Sequence, residues 1–250
     1  MILPAQGVFI TGTDTDAGKT VAAAAVLVSM RAAGIDAVPM KPVQTGAIVE
    51  GGALQSPDLA FCLRMAELRP DPDELQDMVP FIYEPACSPH LAAAKTGREI
   101  SFDRILEAFC GLLRRHQRVV VEGAGGLLVP VAGDRTMIDL MAMLGLPVIL
   151  AARPGLGSIN HTLLSIRELD RSGLKLLGII FCETSKTGWG EIEENNVETI
   201  GRLGKAPVLG RIPYMAELAG NGMSPQIFRS YATQFLKLTP TGKEKCYEER

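Results

Sequence analysis

Several features are scarce or missing in this 250-residue chain, and each excludes a class of protein. The five cysteines are widely spaced and never form a Cys-x-x-Cys pair, so we expect neither a disulfide framework nor a zinc finger, and we expect a reducing, cytoplasmic environment. The apolar stretch 140–152 is interrupted by Gly145 and Pro147 and is shorter than the roughly 18 residues of a membrane-spanning helix. The net charge of −3 argues against a broad basic surface. We therefore expect no membrane segment and no nucleic-acid partner.

The chain does have an apolar fraction of 47% and a regular alternation of strand-like and helix-like segments. The predicted strands are residues 7–11, 36–40, 118–122, 147–152, 176–181 and 207–211. The predicted helices are residues 18–33, 56–68, 88–95, 101–115, 136–144, 158–172 and 189–203. Strands that alternate with helices favour an α/β fold, with a mostly parallel sheet flanked by helices on both faces.

No convincing domain boundary interrupts this alternation, and the length suits one large α/β domain. We therefore expect a single domain over residues 1–238. The polar and charged residues 239–250 predict a flexible C-terminal tail. Residues 49–55 predict a mobile loop.

The most informative segment is residues 12–20, Gly-Thr-Asp-Thr-Asp-Ala-Gly-Lys-Thr, between a predicted strand and a predicted helix. This order is typical of a phosphate-binding P-loop and favours a P-loop NTPase-like fold. Free N–H groups at a helix start bind an anionic phosphate, Lys19 adds a positive charge, and the Thr20 hydroxyl suits Mg²⁺. Five residues separate Gly12 from Gly18, one more than GxxxxGK[ST] allows. An ordinary helix start with a chance Gly-Lys-Thr is the alternative.

Two further charged residues follow predicted strands. Lys41 comes after strand 36–40, where it could neutralise a phosphoryl group in transfer, although alone it could equally be a solvated surface lysine. Glu122 ends strand 118–122 and precedes Gly123-Ala124-Gly125-Gly126. This arrangement is typical of a Walker-B carboxylate that holds Mg²⁺. The alternative for Glu122 is an exposed carboxylate in a glycine-rich turn.

Two helix starts carry polar groups whose interpretation stays open at this point. Asp58 lies in the first turn of the helix that Ser56-Pro57 begins, and the spacing alone favours a structural role, since a carboxylate stabilises a helix N-terminus. Residues 156–161, Leu-Gly-Ser-Ile-Asn-His, open the helix 158–172, and its free N–H groups could hold a carboxylate. Ordinary helix capping explains this second segment equally well.

Five segments belong together as a pattern. They are residues 12–20, 41–46 (Lys-Pro-Val-Gln-Thr-Gly), 88–91 (Ser-Pro-His-Leu), 121–126 (Val-Glu-Gly-Ala-Gly-Gly) and 156–161. In this order they resemble the dethiobiotin synthetase family, ATP-dependent enzymes of biotin synthesis. The resemblance implies an ATP-dependent cyclo-ligase. In its reaction 7,8-diaminopelargonate takes up CO₂ (from bicarbonate) as a carbamate, Mg-ATP phosphorylates the carbamate, and the second amine of the carbamic–phosphoric anhydride closes the ring of dethiobiotin.

The resemblance also implies roles for single residues. Lys19 and Lys41 would be catalytic, with Lys19 bridging the β- and γ-phosphates and Lys41 facing the carbamate. Mg²⁺ would be held by Thr20, Asp58 and Glu122. The implied nucleotide-binding residues are Asp16, Ala17, Gly18, Lys19, Thr20, Val21, Asp58, Glu122, Gly125, Cys182, Glu183, Ile212, Pro213 and Tyr214. The implied substrate-binding residues are Thr15, Lys41, Thr45 and Glu122, joined by Gly157, Ser158, Ile159 and Asn160 from the neighbouring subunit of a homodimer whose active site lies at the interface.

The chain departs from the family pattern at Cys182, where the family usually has an asparagine whose amide reads adenine. A thiol cannot make the same paired hydrogen bonds. We therefore expect relaxed base selectivity, with other nucleoside triphosphates accepted beside ATP. Residues 210–214, Gly-Arg-Ile-Pro-Tyr, resemble a second base-side segment of the family that could compensate.

Two other P-loop classes are the alternatives. A cobyrinate-synthetase-like ligase usually carries a glutaminase domain, for which we expect no room in 250 residues. A partition- or positioning-type ATPase carries an extra lysine early in its P-loop, and residues 13–15, Thr-Asp-Thr, contain none. We therefore expect the synthetase.

Overall fold

The computed structural model describes residues 6–186, 188–219 and 222–236, so the predicted tail over residues 239–250 lies outside the described part. The strands are β1 (Gly7–Gly12), β2 (Ala37–Met40), β3 (Val43–Gln44), β4 (Ile48–Glu50), β5 (Ala53–Gln55), β6 (Phe81–Ile82), β7 (Arg118–Gly126), β8 (Pro130–Ala132), β9 (Arg135–Thr136), β10 (Val148–Ala152), β11 (Leu176–Cys182) and β12 (Val208–Ile212). The helices are α1 (Lys19–Ala32), α2 (Pro57–Met65), α3 (Pro72–Met78), α4 (Pro89–Thr96), α5 (Phe102–Arg115), α6 (Met137–Leu144), α7 (Ser158–Arg171), α8 (Glu191–Gly204), α9 (Ala216–Ala219) and α10 (Pro225–Phe235).

Six strands form one parallel sheet in the order β12-β11-β10-β1-β7-β2. Ile10 of β1 lies beside Glu122 of β7, and Met40 of β2 lies beside Val121. The residues that follow β1 and β2 therefore meet Glu122 at the carboxyl edge of the sheet, where ligands bind in folds of this kind.

Helices cover both faces of the sheet, which confirms the predicted α/β fold. Val8 and Ile10 of β1 are buried against α1, α2 and α10, whereas Phe9 belongs to the core on the opposite face with residues of α5, α6 and α7. Side chains of a strand alternate between its faces, so a strand covered on both sides is apolar throughout. This explains the unbroken apolar runs in the sequence.

Two segments differ from the prediction because of their glycines. β7 does not end at Glu122 but continues through Gly126, which pairs with Gly12 of β1. Residues 49–55 are not a simple loop, since β4 and β5 form an antiparallel hairpin. Gly51 and Gly52 in its turn have φ values of 60° and 81°. Two successive positive φ values suit the tight hairpin turns that favour Gly-Gly.

Helix bounds agree with the predicted ones within a few residues, but α3, the short α9 and α10 were not predicted. Asp71 caps α3 and Ser224 caps α10, and each is followed by proline at the first helical position. This is the same start signal that Ser56-Pro57 gives. Among the described residues, no helix is both long enough and apolar enough to cross a lipid bilayer.

Candidate active site

The turn between β1 and α1 ends at Gly18, which caps α1 with a left-handed φ of 87°. A Cβ atom built on Gly18 would also lie 2.4 Å from Cβ of Cys182. Glycine is therefore required twice, by the backbone conformation and by the close approach of β11. No side chain caps the first turn of α1, so its N–H groups face the loop, as anion binding requires.

Lys19 bends its side chain back over this loop. Its Nζ donates hydrogen bonds to the carbonyl oxygens of Asp14 at 2.6 Å and Thr15 at 2.8 Å. Burial, followed by the positive charge of Lys41, lowers the pKa of Lys19 to about 8. The structure thus places a buried ammonium group, hydrogen-bonded to two loop carbonyls and with a lowered pKa, inside the loop that the sequence predicts to bind phosphate.

Lys41 lies at the centre of a buried charge cluster. Its Nζ is 2.6 Å from Asp58 Oδ2, 2.7 Å from Glu122 Oε1 and 3.1 Å from the carbonyl oxygen of Gly123. The Thr20 hydroxyl lies 2.8 Å from Glu122 Oε1 and also within hydrogen-bonding reach of Asp58, so its single proton is donated to one carboxylate or the other. Of the two interpretations of Lys41, the solvated surface lysine is wrong, because the residue is 4% exposed.

The electrostatics of this cluster follow from its burial. Burial opposes the charge of Lys41, but Glu122 and Asp58 overcome that effect and raise its pKa above the ordinary lysine value. Burial also works against the Asp58 carboxylate, yet Lys41 and Thr20 hold the pKa of Asp58 below its usual range. For Glu122, burial is the stronger influence and raises the pKa, while Lys41 opposes it. The two carboxylates suit the binding of a cation, and the ammonium group of Lys41 suits the binding of a phosphate.

Helix α2 presents Asp58 to this cluster. Ser56 caps the helix by accepting a hydrogen bond from Leu59 N at 3.1 Å, and its hydroxyl donates to Gln44 Oε1 at 2.5 Å. Pro57 fixes the first helical position. Asp58 therefore comes into contact with Lys41 because α2 is tied to the strand that follows Lys41 in the chain.

The glycines after Glu122 let β7 run close to the P-loop. A Cβ atom on Gly123 would lie 2.9 Å from the Phe9 ring, and one on Gly126 would lie 3.2 Å from the carbonyl oxygen of Thr13. Glu122 is 4% exposed, so it does not lie in an exposed turn. Gly125 has a φ of 69°, a conformation that glycine adopts at little cost.

A second group of predicted residues surrounds a cavity of about 250 Å³ next to Gly18. Val21, Cys182, Glu183, Ile212, Pro213 and Tyr214 all line it. Cys182 and Ile212 are neighbours in the register of β11 and β12, which explains why two distant segments meet there. The structure thus brings together the residues predicted for the nucleotide base.

Cys182 itself does not offer its thiol to this cavity as a free group. Its Sγ lies 3.6 Å from the carbonyl oxygen of Gly18, to which it donates a weak hydrogen bond. Burial raises the pKa of Cys182 to about 12. The residue acts as a small buried spacer between β11 and the P-loop.

The start of α7 borders another cavity, of about 340 Å³, lined among others by Arg153, Gly157, Ser158 and His161. Gly157 caps the helix with a φ of 88°. The hydroxyl of Ser158 is buried and has no hydrogen-bond partner among the described residues. An unpaired buried hydroxyl at a helix N-terminus is well placed for a carboxylate ligand.

Some of the predicted site residues make no contact in these clusters that tests their predicted role. Thr15 and Asp16 are exposed at the outer side of the P-loop, Ala17 is buried, and Thr45 is half-buried after β3. On α7, Ile159 packs against the core and Asn160 is exposed. The proposed roles of these residues stay predictions.

An ion pair between Arg153 and Asp14 was not predicted. Arg153 Nη2 contacts Asp14 Oδ2, which links the end of β10 to the P-loop. Arg153 follows the strand 147–152, and β10 is a neighbour of β1, so the adjacency of parallel strand ends was the available signal. The sequence alone did not give the strand order.

Comparisons with known proteins identify the family of the chain. A family model described as an AAA domain matches residues 6–221. An ATP-dependent dethiobiotin synthetase BioD of Anaeromyxobacter dehalogenans is 42% identical over 219 residues, which cover 88% of this chain and 95% of that protein. The corresponding protein of Halalkalibacterium halodurans is 40% identical over 84% of this chain and 85% of its own length.

Solved structures are similar at the level of the fold. A ParA family ATPase from Chlorobium tepidum matches 92% of this chain and 98% of its own with a TM-score of 0.58 and 16% identity. A MinC:MinD cell division protein complex from Aquifex aeolicus gives a TM-score of 0.56 at 13% identity, over 92% of this chain and 95% of the matched chain. At these identities the likeness extends to the P-loop fold and not to function. The curated relatives reach much higher identity over nearly the same span, and the chain belongs to the family of ATP-dependent dethiobiotin synthetases.

Proposed function

We propose that the protein converts 7,8-diaminopelargonate, CO₂ and Mg-ATP into dethiobiotin, ADP and phosphate. The observation that carries the proposal is the contact of Lys41 Nζ with Asp58 at 2.6 Å and Glu122 at 2.7 Å beside the P-loop. A second buried ammonium group next to a phosphate-binding loop suits a phosphoryl transfer whose acceptor is itself an anion. The names of the relatives supply the substrate class.

The proposed reaction has three steps. One amine of the diamine adds to CO₂ and loses a proton, which gives a carbamate. A carbamate oxygen attacks the γ-phosphorus of ATP, the bond to the β,γ-bridging oxygen breaks, and ADP leaves. The second amine then attacks the carbonyl carbon of the carbamic–phosphoric anhydride, phosphate leaves, a proton is released, and the five-membered urea ring closes. These steps need alignment and charge neutralisation more than covalent help from the protein.

The two lysines have different roles in the phosphoryl transfer. Lys19 Nζ exchanges its two loop carbonyls, of Asp14 and Thr15, for β- and γ-phosphate oxygens. Lys41 faces the carbamate and the phosphoryl group that moves toward it. Its charge is secured by Asp58 and Glu122, so it stays protonated through the reaction. Both lysines act by neutralising charge that develops in the transition state.

The residues around Lys41 suit Mg²⁺. Thr20, Asp58 and Glu122 would hold Mg²⁺ through a hydroxyl and two carboxylates, hard oxygen donors of the kind that this ion prefers. The ammonium group of Lys41 already lies between the two carboxylates, so their environment accommodates a cation. No cluster of three or more His, Cys, Asp or Glu side chains able to hold a metal occurs within the described ranges. When bound, the metal neutralises phosphate charge and orients the phosphates.

The far carboxylate of the diamine would bind at the start of α7 of a neighbouring subunit. The unpaired hydroxyl of Ser158, the helix N–H groups and the guanidinium of Arg153 border one cavity there. Thr15 and Thr45 would hydrogen-bond the amines or the carbamate. This proposal therefore requires a homodimer.

An apolar surface next to the P-loop supports the dimer. Leu128 is 61% exposed and Leu164 of α7 is 55% exposed, and both border a groove of about 590 Å³ whose wall includes residues 13–15 of the P-loop. A second copy of the chain seated there would place one subunit's α7 near the other subunit's P-loop. Leu164→Glu should shift the sedimentation coefficient to that of a monomer and abolish synthesis. Leu203→Glu is the control, because Leu203 on α8 is similarly exposed at 54%.

The direct test uses the purified protein with 7,8-diaminopelargonate, ¹³C-bicarbonate, Mg²⁺ and ATP, followed by mass spectrometry. Dethiobiotin with one ¹³C atom should form in step with ADP, and leaving out bicarbonate should stop it. ADP formation that never yields dethiobiotin would contradict the proposal and favour a positioning-type ATPase. We further propose that the reaction takes place in the cytoplasm, in one domain over residues 1–238.

A further inference from the structure

At the base end of the nucleotide cavity, the side chains that can hydrogen-bond a base are those of Glu183, Thr184 and Tyr214. Its lining is mostly apolar, with Val21, Ile212 and Pro213 among its residues. The thiol of Cys182 is engaged by the carbonyl oxygen of Gly18. The charged side chain in this lining is that of Glu183, the next residue along the chain.

The Glu183 carboxylate is held in place on the wall of the cavity. Its side chain is 9% exposed, and its Oε2 atom lies 3.5 Å from the backbone N–H of Tyr214, another lining residue. Its Oε1 atom lies 3.6 Å from Arg211 Nε on β12. The carboxylate therefore lies between the Tyr214 N–H group and the Arg211 guanidinium, on the wall of the cavity.

Arg211 is itself fixed by an aromatic stack. Its guanidinium carbon lies 3.3 Å from the ring centroid of Trp189, and its Nη1 atom lies 3.9 Å from Glu194. The indole N–H of Trp189 also donates to Glu194. A stacked guanidinium is rigid and keeps its charge. Arg211 therefore neutralises Glu183 and reduces the repulsion between Glu183 and a nucleoside triphosphate.

We propose that Glu183, positioned by Arg211, selects nucleotides whose base carries an exocyclic amino group. A carboxylate accepts hydrogen bonds and donates none, so it favours an amino group and disfavours a carbonyl oxygen at the same place. ATP and CTP would bind, whereas ITP and UTP, which carry oxygen in place of those amino groups, would be rejected. The inference rests on the proposed function, which identifies this cavity as the nucleotide site. Cys182 predicts that several nucleoside triphosphates are accepted, and Glu183 would limit them to those whose base carries an amino group.

The test compares dissociation constants of Mg-ATP with Mg-ITP, and of Mg-CTP with Mg-UTP, by calorimetry. The wild-type protein should bind the amino-bearing partner of each pair about tenfold to hundredfold more tightly, the range for a hydrogen bond to a charged group. In Glu183→Gln both ratios should fall close to one, because an amide donates as well as accepts. Glu198→Gln, the same change at an exposed position of α8, should leave both ratios as they are.

Substitutions of Arg211 test whether this residue positions Glu183. Arg211→Met should lower both ratios and weaken the binding of all four nucleotides, since Glu183 then keeps an unneutralised charge, whereas Arg211→Lys should restore part of the binding. A wild-type protein that does not distinguish ATP from ITP would overturn the inference, and so would a Glu183→Gln protein that keeps the wild-type ratios. The wild-type ratios need no variant to fold. Because binding is measured without diamine, a failure to make dethiobiotin would leave this result standing.

Discussion

At the phosphate end of the proposed nucleotide site, the charged side chains of Lys41, Asp58 and Glu122 are in direct contact, whereas the base end is a largely apolar cavity with one carboxylate on its wall. Both ends lie at the carboxyl edge of one sheet. The phosphate end is formed by the ends of β1, β2 and β7, and the base end by the ends of β11 and β12. One fold thus supplies two environments of very different polarity to one ligand.

The difference reflects what each end has to do. Transition-state charge at the phosphates must be neutralised by groups already in place, and these groups are buried and paired with one another. The base takes no part in the chemistry, so a mostly apolar cavity and a few hydrogen bonds suffice. Substitutions at the phosphate end should therefore affect turnover strongly, and those at the base end should affect the choice of nucleotide.

The largest effect is expected for Lys19→Ala. The substitution removes the cation closest to the P-loop carbonyls, and turnover should fall by about a thousandfold or more while Mg-ATP binding weakens strongly. Steady-state kinetics and calorimetry measure the two effects. Lys95→Ala, which removes an exposed lysine of α4, is the control and should behave like the wild type. If Lys19→Ala kept most of its activity, the assignment of residues 12–20 as the phosphate-binding loop would be wrong.

Lys41→Ala should separate binding from chemistry. Its charge matters most as the phosphoryl group moves, so kcat should fall by about a hundredfold or more, whereas the dissociation constant for Mg-ATP should change little. Single-turnover kinetics with pre-bound nucleotide check the first effect, and calorimetry checks the second. Equal losses in both quantities would show that Lys41 binds the nucleotide rather than the reacting group.

The pH dependence of ATP binding should reveal the protonation of Lys19 at the phosphate end. Burial and the nearby charge of Lys41 lower the pKa of Lys19 to about 8, so the free protein loses this positive charge as the pH rises through that value. Triphosphate binds the protonated form. The dissociation constant for Mg-ATP should therefore be flat below pH 8 and rise about tenfold per pH unit above it. AMP, which lacks the β- and γ-phosphates, is the matched ligand, and a flat ATP profile up to pH 9.5 would contradict the assignment.

The sequence alone predicted the phosphate end better than the base end. Lys19 and Thr20 are adjacent in one motif, and Lys41 and Glu122 each follow a strand, so the geometry of parallel strands was enough to bring them together. The contact of Lys41 with Asp58 was not predictable from spacing, because it depends on the capping of α2 by Ser56 and Gln44.

At the base end, the prediction of Cys182 came from its departure from a family pattern and not from its chemistry. The network joins Arg211 of β12 to Glu183 and Trp189, which both lie in the segment between β11 and α8. The family resemblance named Glu183, but its contact with Arg211 and the stacking of Arg211 on Trp189 were not predicted, because they depend on the pairing of β11 with β12. Hydrogen bonds and stacking between side chains from different strands depend on register, which a single sequence does not specify.

Ser56→Ala should have a modest effect that links local structure to the phosphate end. Loss of an N-cap costs about 1 kcal/mol of stability, and here it also releases Gln44 from α2 and loosens Asp58. Ser101→Ala is a matched control, since Ser101 caps α5 in the same way through Arg104 N at 3.2 Å. Ser56→Ala should lose more stability than Ser101→Ala in denaturant unfolding, because it also leaves the buried Gln44 Oε1 without its partner. Only Ser56→Ala should raise the Mg²⁺ concentration needed for half-maximal activity. Equal Mg²⁺ requirements in the two variants would mean that Asp58 does not depend on the cap.

The smallest effects are expected at Cys182. Its thiol is engaged by Gly18 and offers no paired hydrogen bonds to a base, so kcat/KM for ATP and CTP should agree within about tenfold, far below the discrimination of a site built to read one base. GTP should be used less well, because guanine has a carbonyl oxygen where adenine has its amino group and Glu183 disfavours that oxygen. Cys182→Ser keeps the size and the hydrogen bond to Gly18 and should leave the order of the three nucleotides unchanged. Cys182→Ala removes that hydrogen bond and should alter all three values by the same factor, since the contact belongs to the P-loop. A strong preference of the wild-type protein for ATP over CTP would refute this account, because the apolar cavity would then contain a base-reading group that neither Cys182 nor Glu183 supplies.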